Sequence, residues 1–174
     1  MDLVTPSSQY KDSFIQAVKE YHAVDADNIT EIYELNIEEL ENDFPSYISN
    51  LLSESEGKHL PAGYVPQTTY WLIDQGEFIG TISIRHRLTD RLLQEGGHIG
   101  YDIRPSKRKM GYGKKILALA LPKAQELGLY RVLVTCNETN IGSKKIIEAN
   151  GGILENRLQL HAGKPAKLRY WISL

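Results

Sequence analysis

The most informative stretch of the sequence covers residues 99–115 and reads IGYDIRPSKRKMGYGKK. Its pattern predicts a β-strand, a short basic loop with two glycines, and the start of a helix. Glycine lacks a Cβ atom, so Gly111 and Gly113 allow the backbone to approach a ligand closely with its amide groups facing inward. The N-terminus of the following helix adds partial positive charge at the same place. The stretch therefore predicts a binding site for an anionic, phosphate-bearing ligand.

Positive charge is concentrated in this loop. Five of the nine residues from Lys107 to Lys115 are lysine or arginine, although the formal net charge of the 174-residue chain is −2. A simpler interpretation is that these side chains form a solvated surface. The two glycines, together with the strand before them and the helix after them, favour ligand binding.

The spacing of the glycines distinguishes several kinds of phosphate site. A P-loop requires G-x-x-x-x-G-K-[ST], which the close pair Gly111 and Gly113 does not supply. A dinucleotide-binding loop requires G-x-G-x-x-G, and Ile116 occupies the place of the third glycine. A nucleotide- or dinucleotide-binding, Rossmann-like protein remains an alternative, because Glu138 follows the next predicted strand, where a ribose-binding acid would lie.

Arg108, Gly111 and Gly113 match the spacing R-x-x-G-x-G in full, and with it the chain resembles the acetyl-CoA-dependent N-acetyltransferases of the GNAT superfamily. The resemblance extends over residues 69–152. Ile103-Arg104-Pro105 is similar to the strand end that leads into the family's pyrophosphate loop, and Asn140 opens a helix similar to its second CoA-contacting segment. The family implies an α+β fold of three α/β layers. Its central sheet is mixed but mostly antiparallel, with about six or seven strands, a splayed parallel central pair and flanking helices.

The resemblance also implies which residues would bind acetyl-CoA, the expected cosubstrate. The backbone of the strand end would pair with the pantetheine arm, the glycine loop would wrap the phosphates, and the second segment would add two side chains. No metal is expected. The implied residues are Asp102, Ile103, Arg104, Arg108, Lys109, Met110, Gly111, Tyr112, Gly113, Lys114, Asn140 and Ser143.

Acetyl transfer to an amine requires a proton acceptor for the amine and a donor for the oxyanion. His98 lies at the start of the predicted strand, where many family members carry glutamate, and an imidazole pKa of about 6.5 suits a base at neutral pH. The alternative is that His98 is an exposed residue at the strand edge. Many family members carry a tyrosine that protonates the leaving thiolate, and Ile147 occupies its position here. Ser143, one turn closer to the start of that helix, could bond the CoA arm or the thiolate, or it could cap the helix.

Composition predicts one domain, residues 1–174, and a cytoplasmic location. No basic leader with an apolar core opens the chain, and no run of about 18 apolar residues occurs, so neither secretion nor membrane insertion is expected. The charge balance gives no general attraction to nucleic acid. A single cysteine, Cys136, excludes an internal disulfide and a paired zinc site, and its apolar strand pattern predicts a core position.

Within this domain, residues 1–66 are predicted to form a helical region on the acceptor side, residues 69–152 the acetyl-CoA-binding core, and residues 153–174 the last strands. The predicted function is direct transfer of an acetyl group from acetyl-CoA to a primary amine of a small molecule or peptide, in a ternary complex. The residues available on the acceptor side are the aromatics Phe44, Tyr47, Tyr64 and Tyr70 and the acids Glu38, Glu39, Glu41 and Asp43. The enzyme would be a monomer or a homodimer. A non-catalytic CoA-binding or interaction domain is a further alternative.

Hydrophobic periodicity predicts the individual elements. Pro45 should interrupt the second helical region, Pro122 should bend or split the helix after the basic loop, and the strands on either side of that helix should be parallel. The predicted strands are 2–5, 69–74, 77–86, 98–103, 130–135, 152–160 and 167–173, and the predicted helical regions are 8–24, 37–52, 113–127 and 140–151.

Overall fold

The computed structural model describes residues 1–24, 31–58 and 60–174. The strands in these residues are β1 (Asp2–Val4), β2 (Gln67–Asp74), β3 (Glu77–Arg85), β4 (Ile99–Ile103), β5 (Arg131–Asn137), β6 (Ile153–Leu158) and β7 (Lys167–Ser173). The helices are α1 (Lys11–His22), α2 (Ile37–Asn42), α3 (Phe44–Ser53), α4 (Asp90–Gln94), α5 (Tyr112–Glu126) and α6 (Ile141–Ala149).

The strands form two antiparallel sheets. The first has the order β1-β2-β3-β4 and the second has the order β5-β7-β6. The predicted hairpin joins β2 to β3 through Gln75 and Gly76, which have φ angles of 49° and 81°. Two successive positive φ angles match the twist of a tight hairpin, and this explains the Gln-Gly sequence at the turn.

The two sheets meet at their edge strands, β4 and β5. One antiparallel bridge joins Gly97 to Val134, and the His98 amide donates to the Leu133 carbonyl at 2.7 Å. Beyond this point the described residues form no ladder between β4 and β5, so the parallel hydrogen bonding expected from the crossover does not form. The two strands are splayed, as the family resemblance implied.

Hydrophobic clusters cover both faces of the first sheet. Side chains alternate between the faces of a strand, so Trp71 and Ile73 pack with α1 and α3 while Leu72 packs on the opposite face with α5. The predicted apolar face of α1 is buried. The buried residues of α5 are Gly113, Ile116, Leu117, Ala120 and Ala124, and Cys136 is in the same cluster.

Three local features refine the predicted elements. The break near Pro45 is confirmed, because Asp43 accepts a hydrogen bond from the Ser46 amide and starts α3 as a new helix. Pro122 does not split α5, which runs through it and retains its buried face. The loop before β4 contains a short helix, α4, which the sequence patterns did not predict and which Thr89 caps. None of the helices in the described ranges is long and apolar enough to cross a bilayer.

A buried arginine fastens α1 to the end of β4. Arg104 Nη2 donates to Glu20 Oε1 at 2.6 Å, and Arg104 Nη1 donates to Glu77 Oε1 at 2.9 Å. Burial alone would raise the pKa of Glu20, but hydrogen bonds from Arg104 and Ser106 outweigh it and hold this pKa below its usual value. The Arg104 side chain is therefore used to hold the fold together.

We expect Arg104→Met to lower the free energy of unfolding by about 2–4 kcal/mol, because two partly buried carboxylates lose their shared cation. The lowered pKa of Glu20 means that this stabilisation is present above pH 4.5 and is lost as the pH falls through the lower folded-state value. The variant should consequently be less sensitive to acid in that range. Urea unfolding at several pH values measures both effects. Arg91→Met, at an exposed ion pair, is the matched control, and equal losses in the two variants would contradict the assignment.

Candidate active site

A row of free backbone amides lies between β4 and α5. The N–H groups of residues 109–113 have no hydrogen-bond partner within the described parts of the chain. The next amides, those of Lys114 and Lys115, both donate to the Gly111 carbonyl and begin α5. Five consecutive free donors at the start of a 15-residue helix form a concentrated region of positive potential.

Different constraints act at the two glycines, a positive φ angle at Gly111 and close side-chain packing at Gly113. Gly111 has a φ angle of 86°, which is strained for a residue with a Cβ atom, and open space surrounds its Cα. At Gly113 the constraint is packing, since a Cβ atom there would press on the end of the Ile146 side chain on α6, which would have to shift. Gly111 therefore shapes the loop, and Gly113 allows α5 to approach α6.

The side chains of this loop divide into two groups. Lys109, Met110 and Lys114 are exposed around the free amides. Tyr112 is anchored instead, because its hydroxyl donates to Asp74 Oδ2 at 2.8 Å. The lysines can thus add mobile positive charge to the fixed dipoles of the backbone.

Arg108 is exposed, but its guanidinium group is engaged by groups of the protein itself. Its Nε donates to the Ile103 carbonyl at 2.9 Å, and its Nη2 donates to the Tyr33 hydroxyl at 2.8 Å and to Asp102 Oδ1 at 3.1 Å. The guanidinium group also lies over the ring of Tyr21. Arg108 thus ties the loop to β4 and to the N-terminal region, and its predicted phosphate contact stays a prediction that would require some of these hydrogen bonds to be exchanged.

One edge of β4 is unpaired. The backbone hydrogen bonds between β3 and β4 involve the even-numbered residues of the β4 segment. Two bonds fix this register: the Arg104 amide donates to the Ile79 carbonyl, and the Arg85 amide donates to the His98 carbonyl. Backbone groups alternate in direction along a strand, so Tyr101 and Ile103 direct theirs toward β5. No ladder receives them there, and the amides of Tyr101 and Ile103 are free among the described residues.

This alternation corrects the predicted pantetheine contacts. Of Asp102, Ile103 and Arg104, the three residues implied by the resemblance, Ile103 alone has its backbone on the open edge. The other two direct theirs to β3, and the Arg104 amide is already bonded there. Tyr101, which was not predicted, is the second residue with a free amide on this edge.

Helix α6 closes the far side of the gap. Asn140 caps it, because Asn140 Oδ1 accepts a hydrogen bond from the Ser143 amide at 2.9 Å. The Ser143 hydroxyl lies 2.7 Å from the Tyr101 hydroxyl, within hydrogen-bond distance. The amide-bearing edge of β4 and the first turn of α6 are therefore linked by two side chains. Ile147, one turn further along, is buried in the core.

A cleft of about 520 Å³ lies on the face of the first sheet that packs against α1 and α3, opposite α5. Its floor is polar and its roof, from α1, α3 and residues 32–35, is largely apolar. The Thr69 and Ser83 hydroxyls are 2.8 Å apart on the floor, and Gln67 Nε2 donates to Glu54 Oε2 at 2.8 Å. The charged residues that line the cleft are Glu54, Arg85 and Asp102.

The predicted acceptor-side residues only partly coincide with this cleft. Tyr47 lines it, but Phe44 is packed in the core and the acidic side chains of residues 38–43 do not contribute to its lining. The floor residues were missed. Their signal was the alternation of polar residues, Gln67 and Thr69 on β2 and Thr81 and Ser83 on β3, with apolar residues such as Leu72, Ile82 and Ile84 on the opposite face. No cluster of three or more His, Cys, Asp or Glu side chains suited to a metal occurs in the described parts of the chain.

His98 is buried rather than exposed, with only 8% of its surface accessible. Its Nδ1 accepts a hydrogen bond from the Leu133 amide at 2.9 Å, and it is not among the residues that line the cleft. Burial, followed by the positive charges of Arg85 and Arg131, lowers the pKa of His98 from 6.5 to about 4. This geometry makes His98 a bridge between β4 and β5 and does not support its assignment as the base.

We expect His98→Ala to destabilise the protein by about 1–3 kcal/mol, because the Leu133 amide would be left buried without a partner. In the wild type, the free energy of unfolding should fall as the pH drops from 6.5 toward 4. Over that range His98 binds a proton in the unfolded chain but not in the folded protein, because folding lowers its pKa. The variant should lose this dependence. Thermal or urea unfolding across that range measures it, with the exposed His22→Ala as the control. Unchanged stability in His98→Ala would contradict the bridging role.

Comparison with known proteins places these features in a family. The sequence matches the acetyltransferase (GNAT) domain family over residues 21–153. The comparison with curated protein sequences finds no match.

Many solved structures are similar in fold, among them the following three. RimL, the ribosomal L7/L12 alpha-N-protein acetyltransferase in complex with coenzyme A, has a TM-score of 0.70 at 17% identity, over 99% of this chain and 93% of that one. The microcin C7 self-immunity acetyltransferase MccE, in complex with acetyl-CoA and AMP, has a TM-score of 0.70 at 14% identity, with coverage of 99% and 91%. The ribosomal-protein-alanine N-acetyltransferase from Brucella melitensis has a TM-score of 0.67 at 14% identity, with full coverage of both chains.

The dinucleotide-binding alternative is overturned by the family match and by the antiparallel sheets, which differ from the parallel sheet of a Rossmann-like fold. Since the matched region covers most of the chain and contains both the free amides and the open edge of β4, this protein belongs to the GNAT acetyltransferase family and is an acyltransferase.

Proposed function

We propose that this protein transfers the acetyl group of acetyl-CoA to a primary amine of an acceptor bound in the cleft. The observation that carries the proposal is the continuity of free backbone donors, from residues 109–113 at the start of α5 to Ile103 and Tyr101 on the edge of β4. An elongated ligand with a phosphate end and an amide-containing arm fits this arrangement. Acetyl-CoA has both parts, and two of the three similar structures contain CoA or acetyl-CoA.

The loop would hold the pyrophosphate. Amides 109–113 supply fixed donors, and the exposed ammonium groups of Lys109 and Lys114 add charge-assisted hydrogen bonds. The pantetheine arm would then run along β4, where the free amides of Tyr101 and Ile103 replace the missing strand partner. This assignment satisfies backbone groups that would otherwise stay unpaired in the gap.

The acceptor would approach from the cleft on the opposite side of β4. Its amine, once neutral, attacks the thioester carbonyl, and a β4 amide on the open edge can stabilise the oxyanion that forms. The carboxylates of Glu54 and Asp102 in the cleft favour an acceptor that arrives as a cation. The amine proton leaves to one of these carboxylates or to water.

The cleft size limits the part of the acceptor that is enclosed. A volume of about 520 Å³ accommodates one or two amino-acid residues or a small molecule. Two of the similar structures are named as acetyltransferases of ribosomal proteins, and this supports a peptide α-amine as the first acceptor to test. Small-molecule amines remain within the proposal, since MccE is named with AMP bound.

Calorimetry and an acceptor screen test the function directly. Acetyl-CoA should bind and NAD should not, since the sheets of the described residues are antiparallel and differ from the parallel sheet of a dinucleotide site. Peptides with free and blocked N-termini, and a panel of small amines, should then be incubated with acetyl-CoA and analysed by mass spectrometry for a single added acetyl group. Binding without transfer to any amine would favour a non-catalytic CoA-binding domain. Absence of binding would refute the proposal.

Gly111→Ala isolates the contribution of the loop conformation. The added methyl group meets no neighbour within 4 Å, so its effect comes from the φ angle of 86°. We expect acetyl-CoA affinity to fall by roughly tenfold, because the free amides turn away from a common centre. Gly163→Ala is a matched control, with a φ angle of 76°, no neighbour within 4 Å and a position in the turn between β6 and β7. Equal affinities in the two variants would contradict the amide site.

A further inference from the structure

Cleavage of the thioester leaves a thiolate, which a proton donor close to sulfur would stabilise. When the tetrahedral intermediate collapses, the carbon–sulfur bond breaks and its electron pair stays on sulfur as a thiolate. Under the proposed function, the sulfur atom of bound acetyl-CoA lies at the open edge of β4, between the amide row of residues 109–113 and the cleft. The side chains that reach into this part of the gap decide which group can give the thiolate its proton.

Tyr101 and Ser143 form a hydroxyl pair at this position. Tyr101 is on β4, its amide is one of the two free donors of the open edge, and its side chain packs on the α5 face of the sheet, opposite the cleft. Its hydroxyl lies 2.7 Å from the Ser143 hydroxyl in the first turn of α6. Tyr101 therefore joins the open edge of β4 to α6, on the side of the sheet from which the CoA arm would enter the gap.

We propose that Tyr101 is the proton donor to the leaving thiolate and that Ser143 is its positioning residue. The proposal rests on the proposed function. As the carbon–sulfur bond breaks, the phenol O–H bond breaks and its proton forms the thiol of CoA. The Ser143 hydroxyl donates to the phenolate oxygen that remains, and water returns a proton to Tyr101 after the amine has released one. The acceptor amine thus supplies the net proton that ends on sulfur.

The surroundings of Tyr101 suit this role. Burial raises its pKa above the usual value, while the hydrogen bond with Ser143 acts in the opposite direction. The phenol therefore remains protonated at neutral pH and has a partner for its anionic form. Cys136, the nearby thiol on β5, is less suited, since it belongs to the core cluster and burial raises its pKa to about 11. Ser143 is itself fixed, because Asn140 holds its amide at the start of α6.

The test measures binding of the product and needs no acceptor. The affinities of CoA and of desulfo-CoA, which lacks the thiol, are determined by calorimetry at pH 7 and pH 9.5. The cysteine thiol has a pKa of about 8.5, and the CoA thiol, a somewhat weaker acid, is neutral at pH 7 and is partly converted to the thiolate at pH 9.5. Dividing one affinity by the other removes the contributions of the phosphate loop and of the pantetheine arm.

For the wild type we expect the preference for CoA over desulfo-CoA to rise roughly tenfold from pH 7 to pH 9.5. The reason is that the hydrogen bond from the Tyr101 hydroxyl to sulfur becomes stronger when sulfur carries a negative charge. Tyr101→Phe should abolish the rise and leave desulfo-CoA affinity unchanged. Ser143→Ala should reduce the rise by roughly threefold, since Tyr101 keeps its hydroxyl but loses its orienting partner. Tyr70→Phe, another partly buried tyrosine packed on the same core, is the matched control and should behave as the wild type.

Two results would overturn the proposal. A pH-dependent preference that persists in Tyr101→Phe would show that the thiolate has another donor. Equal loss in Tyr70→Phe and Tyr101→Phe would assign the effect to the core rather than to the hydroxyl pair. If the wild type binds neither CoA nor desulfo-CoA, the proposed function itself fails, and this outcome is distinct from binding without any thiol preference. Thermal unfolding of each variant checks that it is folded.

Discussion

The arrangement of this protein depends on an unpaired strand edge in its interior. Backbone amides and carbonyls that are removed from water need hydrogen-bond partners, and an open edge is the site where a strand offers them in a row. Strand β4 has its even-numbered residues bonded to β3, while Tyr101 and Ile103 direct their amides into the gap toward β5. The amide row at residues 109–113 extends this set of donors around the end of the strand. A ligand that supplies acceptors along this path completes the missing pairing.

The surrounding structure keeps that edge open and straight. Arg104 ties the end of β4 to α1 and β3 through Glu20 and Glu77, and His98 bonds its beginning to β5. Arg108 covers the Ile103 carbonyl, so the last acceptor on the edge is already satisfied while the neighbouring donors are free. The site therefore presents an excess of N–H groups, which suits a ligand rich in phosphate and carbonyl oxygens.

Local patterns in the sequence were sufficient to predict the loop, the helix that follows it, the cap at Asn140 and most element bounds, because these depend on residues close together in the chain. The roles of individual side chains were less accessible. Arg108 has the spacing of a phosphate ligand but finds Tyr33 and Asp102, which lie 75 and 6 residues away. His98 was interpreted as a candidate base from its place at the start of β4. Its burial could not be predicted locally, because it depends on a contact with β5 that lies 35 residues further along the chain. The sequence could not show which of Asp102, Ile103 and Arg104 directs its backbone groups away from β3, because that direction follows from the register with β3 and a shift of one residue reverses it.

Residue-specific amide exchange of the labelled protein, measured by NMR with and without acetyl-CoA, tests the central claim most directly. The account predicts that acetyl-CoA slows exchange at Tyr101, Ile103 and residues 109–113. The amides of Asp102 and Arg104 should not change, since they are directed to β3 in the free protein. Slowed exchange at Asp102 and Arg104 with none at Tyr101 and Ile103, or no change at residues 109–113, would contradict it.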